Sequence, residues 1–247
     1  MSYKSFAGFY DSFTTDVGYK ERAEYMLALF ARFDKTPELL LDVGCGTGAF
    51  SYEFAEKGIE VIGVDPSAEM LSIASSRTTD AEKPPIFLCQ TAQNLDLYGT
   101  VDGAVACLDT VNHITDLAEL SAAFGKISLF LEPDRLFVFD ANTLYKHKNV
   151  LSGKKFIYDN GEKLCIWKNS RCSRNGTVKM KLKLYENTQN GYIKYTDSHS
   201  ERAYSREELE NALKNCGFEV LGVYGDLSFD SPKENEERIY IVAKKVK

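Results

Sequence analysis

An α/β fold organised on one mostly parallel sheet, with an antiparallel β insertion late in the chain, is predicted by three features of this sequence. Apolar runs of strand type alternate with helix-periodic stretches over most of the 247 residues. The first such run, LLLDV, leads through a glycine-rich turn, GCGTG, into a helix-periodic segment. Three Asn-Gly dipeptides, at 160–161, 175–176 and 190–191, each stand between strand-like residues, and that dipeptide is the strongest short signal for a β-hairpin.

Residues 1–15 are rich in aromatics (Tyr3, Phe6, Phe9, Tyr10, Phe13) without a helical or strand period, so their rings must be buried on the domain or over a ligand. Tyr19, Ala23, Met26, Leu27 and Phe30 recur at helical spacing and predict an amphipathic helix over 19–33. Pro37 marks the boundary before the first strand. After the glycine turn, a helix over 48–57 stops at Gly58, a suitable residue just past a helix end. The second strand, 59–65, is nearly apolar throughout, as expected of a strand covered on both faces.

A helix over 67–77, a strand over 86–90, the segment 91–95 and a strand over 101–108 follow. Asp116 and Glu119 have capping-box spacing for a helix over 116–131, and a fifth strand is expected at 135–140. Strands and helices alternating on this scale imply parallel strands joined by right-handed crossovers.

The pattern changes after about residue 150. Residues 154–203 should be an antiparallel meander, in which Val178, Met180, Leu182 and Leu184 alternate with Lys179, Lys181 and Lys183, so that one face packs and the other is solvated. Ser205 and Glu208 then form a capping box for a helix ending at Cys216 and Gly217, and strands at 218–224 and 238–245 close the chain. The acidic linker 226–237 is too long for a tight hairpin. It leaves room for the last strand to insert antiparallel beside the fifth. The expected architecture is therefore a Rossmann-like seven-stranded, mostly parallel sheet with its last strand antiparallel. Residues 1–150 would form the cofactor-binding core with an N-terminal lid, 151–203 the meander on the substrate side, and 204–247 the completion of the core.

Composition narrows the partners. With 44% hydrophobic residues a sizeable core is within reach, and a net charge of −6 favours neither nucleic acid nor an anionic membrane, since polyanion binding needs clustered Lys and Arg. The N-terminus lacks a secretory-signal pattern and no apolar run reaches membrane-spanning length, from which a cytoplasmic location is expected. The six cysteines form no Cys-x-x-Cys pair, so neither a disulfide framework nor a metal site is expected.

Ligands in such sheets bind at the carboxyl ends of the strands, near the switch in strand order. Gly44, Gly46, Asp65, Ala92 and Leu108 all fall at such ends. Glycines in the first turn let backbone N–H groups at a helix start approach a bound molecule closely. Gly44, Gly46 and Ala49 also satisfy the relaxed dinucleotide pattern, with Asp65 near the spacing of a ribose-binding acid, so a nicotinamide-dependent oxidoreductase fits the glycines too. Asp42 separates the two readings. A carboxylate at the mouth of the turn opposes a pyrophosphate but suits a ligand bearing an ammonium and a sulfonium, which points to S-adenosylmethionine. The plainer readings are a strand-end turn residue for Asp42, and for Asp65 an N-cap with Pro66 at the first helical position.

LLDVGCGTG resembles the first motif, and VIGVDPSAEML the second, of the class I S-adenosylmethionine-dependent methyltransferases. YDSFTTDVGYKERAEY, FLCQTAQNLDLYGTVD, FVFDANTLYK, HSERAYSREELENALKNCGFEV and ERIYIVAKK extend the resemblance over essentially the whole chain, to a bacterial YqeM-like subgroup. The resemblance implies that Asp42, Gly44 and Gly46 lie around the methionyl part of the cofactor and that Asp65 holds the ribose. Met70 would flank the adenine, with Ala92 and Gln93 at its edge, Leu108 would line the floor, and Tyr10 would close over the cofactor. Two departures stand out. Thr91 replaces an Asp that reaches the adenine amino group in many relatives, and Asp134-Arg135 replaces the usual glycine pair before strand five.

A methyl acceptor with a hydroxyl or an ammonium needs proton removal, for which His113 and His199 are the candidates, and Asn142 is a candidate for orienting substrate. The expected acceptor is a small molecule with an N or O nucleophile, and the expected protein a monomer or homodimer. A cofactor-binding regulatory protein without transfer activity would share the fold.

Overall fold

The computed structural model describes residue 9, residues 17–189 and residues 191–246. Tyr10, and with it most of the expected lid, lies outside the described residues. Helix α1 (Tyr19–Ala31) precedes β1 (Leu39–Val43), α2 (Ala49–Ala55), β2 (Glu60–Asp65), α3 (Ala68–Ser76) and β3 (Ile86–Cys89). Then come β4 (Val101–Ala106), a short α4 (Thr110–His113), α5 (Leu117–Phe130) and β5 (Leu131–Asn142). The meander consists of β6 (Lys155–Asp159), β7 (Lys163–Asn169), β8 (Thr177–Thr188) and β9 (Gly191–Arg202). Helix α6 (Arg206–Asn215), β10 (Phe218–Gly225) and β11 (Arg238–Lys245) complete the chain.

The large sheet has the order β10-β11-β5-β4-β1-β2-β3. β1 pairs in parallel with β2 and β4, whereas β11 runs antiparallel to both β5 and β10, as the long acidic linker implied. Successive residues of β5 serve opposite faces: Phe137 and Phe139 join Leu41, Phe124 of α5 and Leu213 of α6 on one side. Leu136 and Val138 join Leu40, Phe30 of α1 and Phe54 of α2 on the other. Continuous apolar runs are thus required in these strands, because each is covered on both faces. The carboxyl ends of the parallel strands open on one edge of the sheet.

The meander is a four-stranded antiparallel sheet of order β6-β7-β8-β9. On β8 the alternation is as expected, with Val178, Met180, Leu182 and Leu184 buried and the intervening lysines exposed. Phe9 is buried against the same sheet, beside Cys165, Leu182 and Leu184 and edge-on to Tyr195 at 5.6 Å. The end of β9 is tied to the large sheet by Asn112, fully buried after β4. Its side chain donates to the Asn142 and Arg202 carbonyls at 3.1 and 2.9 Å and accepts from the Asn142 N–H at 2.8 Å.

Local details depart from expectation in several places. Ser67, not Asp65, caps α3, its hydroxyl accepting from the Met70 N–H at 3.2 Å. Asp65 instead accepts from the Ser67 N–H at 2.8 Å, a turn one residue upstream that leaves its carboxylate facing the loop. Asp116 caps α5 without the reciprocal half of a capping box, while the Ser205/Glu208 box is complete. The turn before strand five needs no glycine: Asp134 takes a left-handed φ of 64° and pairs with Lys35. Aspartate tolerates that region better than most residues.

Candidate functional site

A cavity of about 350 Å³ opens at the carboxyl ends of β1, β2 and β4. Asp42, Gly44, Gly46, Asp65, Met70, Ala92, Gln93 and Leu108 line it, together with Tyr19, Phe50, Thr110 and His113. Every expected cofactor residue within the described chain therefore meets in one place. Leu108 and Asp109 both take left-handed backbone, at φ 48° and 68°. This rare consecutive pair turns the chain sharply after β4, placing Leu108 on the cavity wall while Asp109 reaches Arg238, 2.7 Å away. Although burial alone would raise it, Arg238 and Lys146 hold the Asp109 carboxyl below the usual carboxylate range.

The glycine turn is shaped by close approach. Gly44 has φ +72°, its N–H donates to the Val64 carbonyl at 2.7 Å, and an added Cβ would stand 2.5 Å from the Thr110 side chain. At Gly46, φ +54°, an added Cβ would meet nothing within 4 Å among the described residues beyond its own chain neighbours. The Gly46 N–H donates to Asp65 Oδ2 at 3.1 Å, so the acid at the end of β2 organises the turn as well as facing the cavity.

The two acids differ in their support. Asp65 has a backbone N–H on each oxygen, which offsets part of the burial that raises its pKa. Asp42 is buried, with one oxygen accepting from the Ser51 hydroxyl at 2.6 Å and the other, Oδ1, without a hydrogen-bond partner among the described residues. Burial, opposed by Ser51 and reinforced by Asp65, pushes the Asp42 carboxyl up to about 6. Cys45, inside the turn, is no nucleophile: burial, with Asp42 and Asp65 nearby, drives its thiol well above the usual range.

Residues 40–134 match the methyltransferase domain family. Over 248 aligned residues the chain is 29% identical to the protein YqeM of Bacillus subtilis (strain 168), covering 100% of this chain and 98% of that one. It is likewise similar to the crystal structure of an S-adenosylmethionine-dependent methyltransferase from Clostridium acetobutylicum ATCC 824, at 29% identity, TM-score 0.88 and 99% coverage of each chain. The chain belongs to the class I S-adenosylmethionine-dependent methyltransferases. The fold also resembles that of CalS10 from Micromonospora echinaspora, an amino pentose methyltransferase solved with its cofactor bound, at TM-score 0.76 and 20% identity, covering 96% of this chain and 97% of that one.

S-adenosylmethionine is thus the cofactor of this methyltransferase, and the cavity suits it on three counts. The orphaned Asp42 Oδ1 is an acceptor awaiting a donor, and an ammonium is such a donor. The Asp65 carboxylate has acceptor capacity beyond its two backbone bonds, as vicinal hydroxyls require. The space in front of Gly46 leaves the turn's backbone open to a ligand.

The remaining expected residues form a second cluster at the rim. His113, on α4, lines the cavity, and His199, on β9, lies behind it with ring centroids 5.3 Å apart. The Nε2 atoms of both stand 3.8 Å from the same Glu201 oxygen, and Nε2 of His147 stands 3.7 Å from the other. All three histidines of the chain converge on one carboxylate. Burial, with His113 beside it and Glu201 opposing, lowers His199 to about 4, so this imidazole is neutral at physiological pH. Asn142 does not line the cavity. Its amide donates to Glu201 at 3.3 Å and accepts from Lys146 at 2.8 Å. Sequence reasoning missed Glu201 and His147. The signal for Glu201 was present, since residues two apart on a strand share a face and His199 is its partner. Nothing comparable marks His147.

Proposed function

We propose that this methyltransferase transfers the methyl group of S-adenosylmethionine to an N or O nucleophile of a small molecule. In this reading Asp42, Gly44 and Gly46 hold the methionyl part of the cofactor and Asp65 its ribose hydroxyls. Met70 flanks the adenine, Ala92 and Gln93 lie at its edge, and Leu108 lines the floor of the site. The sulfonium supplies a methyl group already activated for displacement. The protein's own task is to orient the acceptor, exclude water and accept a proton where the acceptor carries one.

The observation that supports this reading is the position of His113: it lines the same cavity as Asp42 and Asp65, and is backed by His199 and Glu201 from the meander. An acceptor between the two sheets would meet the imidazole on one side and the cofactor on the other. A pocket of this size, at the carboxyl ends of the parallel strands, is typical of small-ligand sites. The net charge of −6 argues against a nucleic-acid acceptor. The test is a methylation assay comparing small amines, hydroxy acids and phenols with bulk tRNA and protein. Turnover of a small molecule is the expected outcome. Efficient methylation of tRNA or protein with no small-molecule turnover overturns the proposal.

A further inference from the structure

The rim cluster has a geometry that proton acceptance alone does not explain. His113, His199 and Glu201 each offer one ligand atom, and these atoms all lie within 4.8 Å of one another. The two imidazole Nε2 atoms stand 3.8 Å from a single carboxylate oxygen, beyond hydrogen-bond distance from it. Three donors held by one ion at about 2.0–2.2 Å stand about 3.3–3.8 Å apart, so the two imidazole-to-carboxylate separations are already close to that spacing, and side-chain rotation of the imidazoles closes the remainder. We propose that His113, His199 and Glu201 form a site for a divalent first-row transition-metal ion, open toward the cofactor cavity, where it binds the oxygen of a hydroxyl-bearing methyl acceptor.

Two imidazoles and one carboxylate are a donor set suited to such ions, and a three-ligand site keeps coordination positions for water or substrate. The open side is defined by His113, which lines the cavity, whereas His199 and Glu201 are supplied from β9 behind it. The carboxylate is also aimed. Its second oxygen accepts from Asn142 at 3.3 Å and faces His147, whose Nδ1 lies 2.8 Å from the Gly176 carbonyl and so carries the hydrogen. Supporting contacts of this kind orient metal ligands and tune their affinity. A bound ion would lower the pKa of a coordinated hydroxyl. Its proton leaves to water; the oxygen lone pair forms the new O–C bond as the S–C bond breaks, and that electron pair stays on sulfur as a neutral thioether. This step rests on the proposed transfer to a small acceptor, while ion binding itself does not.

The test uses the full-length protein without a polyhistidine tag, stripped with a chelator and titrated with Zn²⁺, and with Co²⁺ as a visible-absorption probe. One equivalent of ion is expected in the wild type, with at least a hundredfold weaker binding in Glu201→Gln and His199→Asn. Asn142→Ala, which removes a supporting contact to Glu201 and no metal ligand, should weaken binding about tenfold. Calorimetry with S-adenosylhomocysteine on the same variants reports whether the cofactor site is intact. Its failure in the wild type would sink the transferase reading, separately from the metal site. Absence of stoichiometric binding, or equal binding by the variants, overturns the site. Transfer to phenols or hydroxy acids that is unchanged after chelation overturns its role in transfer.

Discussion

Replacing Asp42 by asparagine should make the unliganded protein more stable and the liganded one weaker, and the structure sets the size of both effects. Burial raises the Asp42 carboxyl from an ordinary 3.8 to about 6, a gap equivalent to about 3 kcal/mol. Because the folded-state pKa lies above the unfolded one, the stability attached to this group is fully present below pH 3.8 and is lost as pH rises through about 6. At pH 7 the empty protein therefore holds a disfavoured charge. An asparagine there would keep an acceptor for the Ser51 hydroxyl while removing that charge. Asp42→Asn should gain up to about 3 kcal/mol at pH 7, at about 2–4 °C of melting temperature per kcal/mol, and none at pH 4. Affinity should move the other way. Loss of one charge-assisted contact to the ligand's ammonium, roughly 1.5–3 kcal/mol, weakens S-adenosylhomocysteine about ten- to hundredfold. In the wild type, affinity should fall as pH drops below about 6, since a protonated Asp42 no longer attracts the ammonium. Urea denaturation at pH 7 and pH 4, with calorimetry across that range, reads all of this. A variant that is less stable at pH 7, or that binds the ligand as tightly as wild type, would refute the reasoning.

Two further substitutions probe the same cavity. Asp65→Ala should cost several kcal/mol of cofactor affinity by calorimetry, at roughly 1.5–3 kcal/mol for each charge-assisted bond lost to a ribose hydroxyl, and Asp65→Asn should recover only part of it. Gly44→Ala should abolish cofactor binding and lower the melting temperature, because its φ of +72° is strained for alanine and the new Cβ would stand 2.5 Å from Thr110. Normal binding by Gly44→Ala would mean that the turn is far more pliable than its packing against Thr110 implies.

Much of the large sheet was legible in the sequence because both of its signals are local. Apolar runs such as IEVIGVD announce strands buried on two faces, and GCGTG must form a turn whatever surrounds it. The Asn-Gly dipeptides marked the turns of the meander for the same reason. The cavity was legible too, since loops at strand carboxyl ends meet by topology once the sheet is parallel. Element ends were less so: β5 begins at Leu131 rather than near 135, because pairing with Val101 extends it before the Asp134 turn. The rim cluster was legible only residue by residue. His113, Asn142, His147, His199 and Glu201 come from separate stretches of the chain, and only tertiary packing gathers them around one carboxylate. Cysteine spacing, the basis for expecting no metal, carries no information about such a set.

Whether the meander merely roofs the cavity or positions the rim can be decided at Asn112. Its side chain is fully buried and joins the end of β5 to the end of β9 through three hydrogen bonds, to Asn142 N–H, Asn142 C=O and Arg202 C=O. Its neighbours on either side are the residues that matter: His113 follows it directly, and Glu201 precedes Arg202. Asn112→Ala leaves buried backbone groups unpaired, at about 1–3 kcal/mol each, so a stability loss of roughly 3 kcal/mol or more is expected. A loss of that size would accompany any role. The discriminating readout is the split between cofactor and acceptor. The acids and glycines that line the cavity belong to β1, β2 and the turn between β1 and α2, and the Asn112 side chain bonds to Asn142 and Arg202 rather than to any of them. If the bridge positions the rim, S-adenosylhomocysteine affinity stays within about threefold of wild type while kcat for methyl transfer falls at least tenfold, at temperatures where the variant remains folded. Parallel loss of cofactor affinity and kcat would show that the bridge only holds the domain together, and that the meander's contribution to the site is cover rather than alignment.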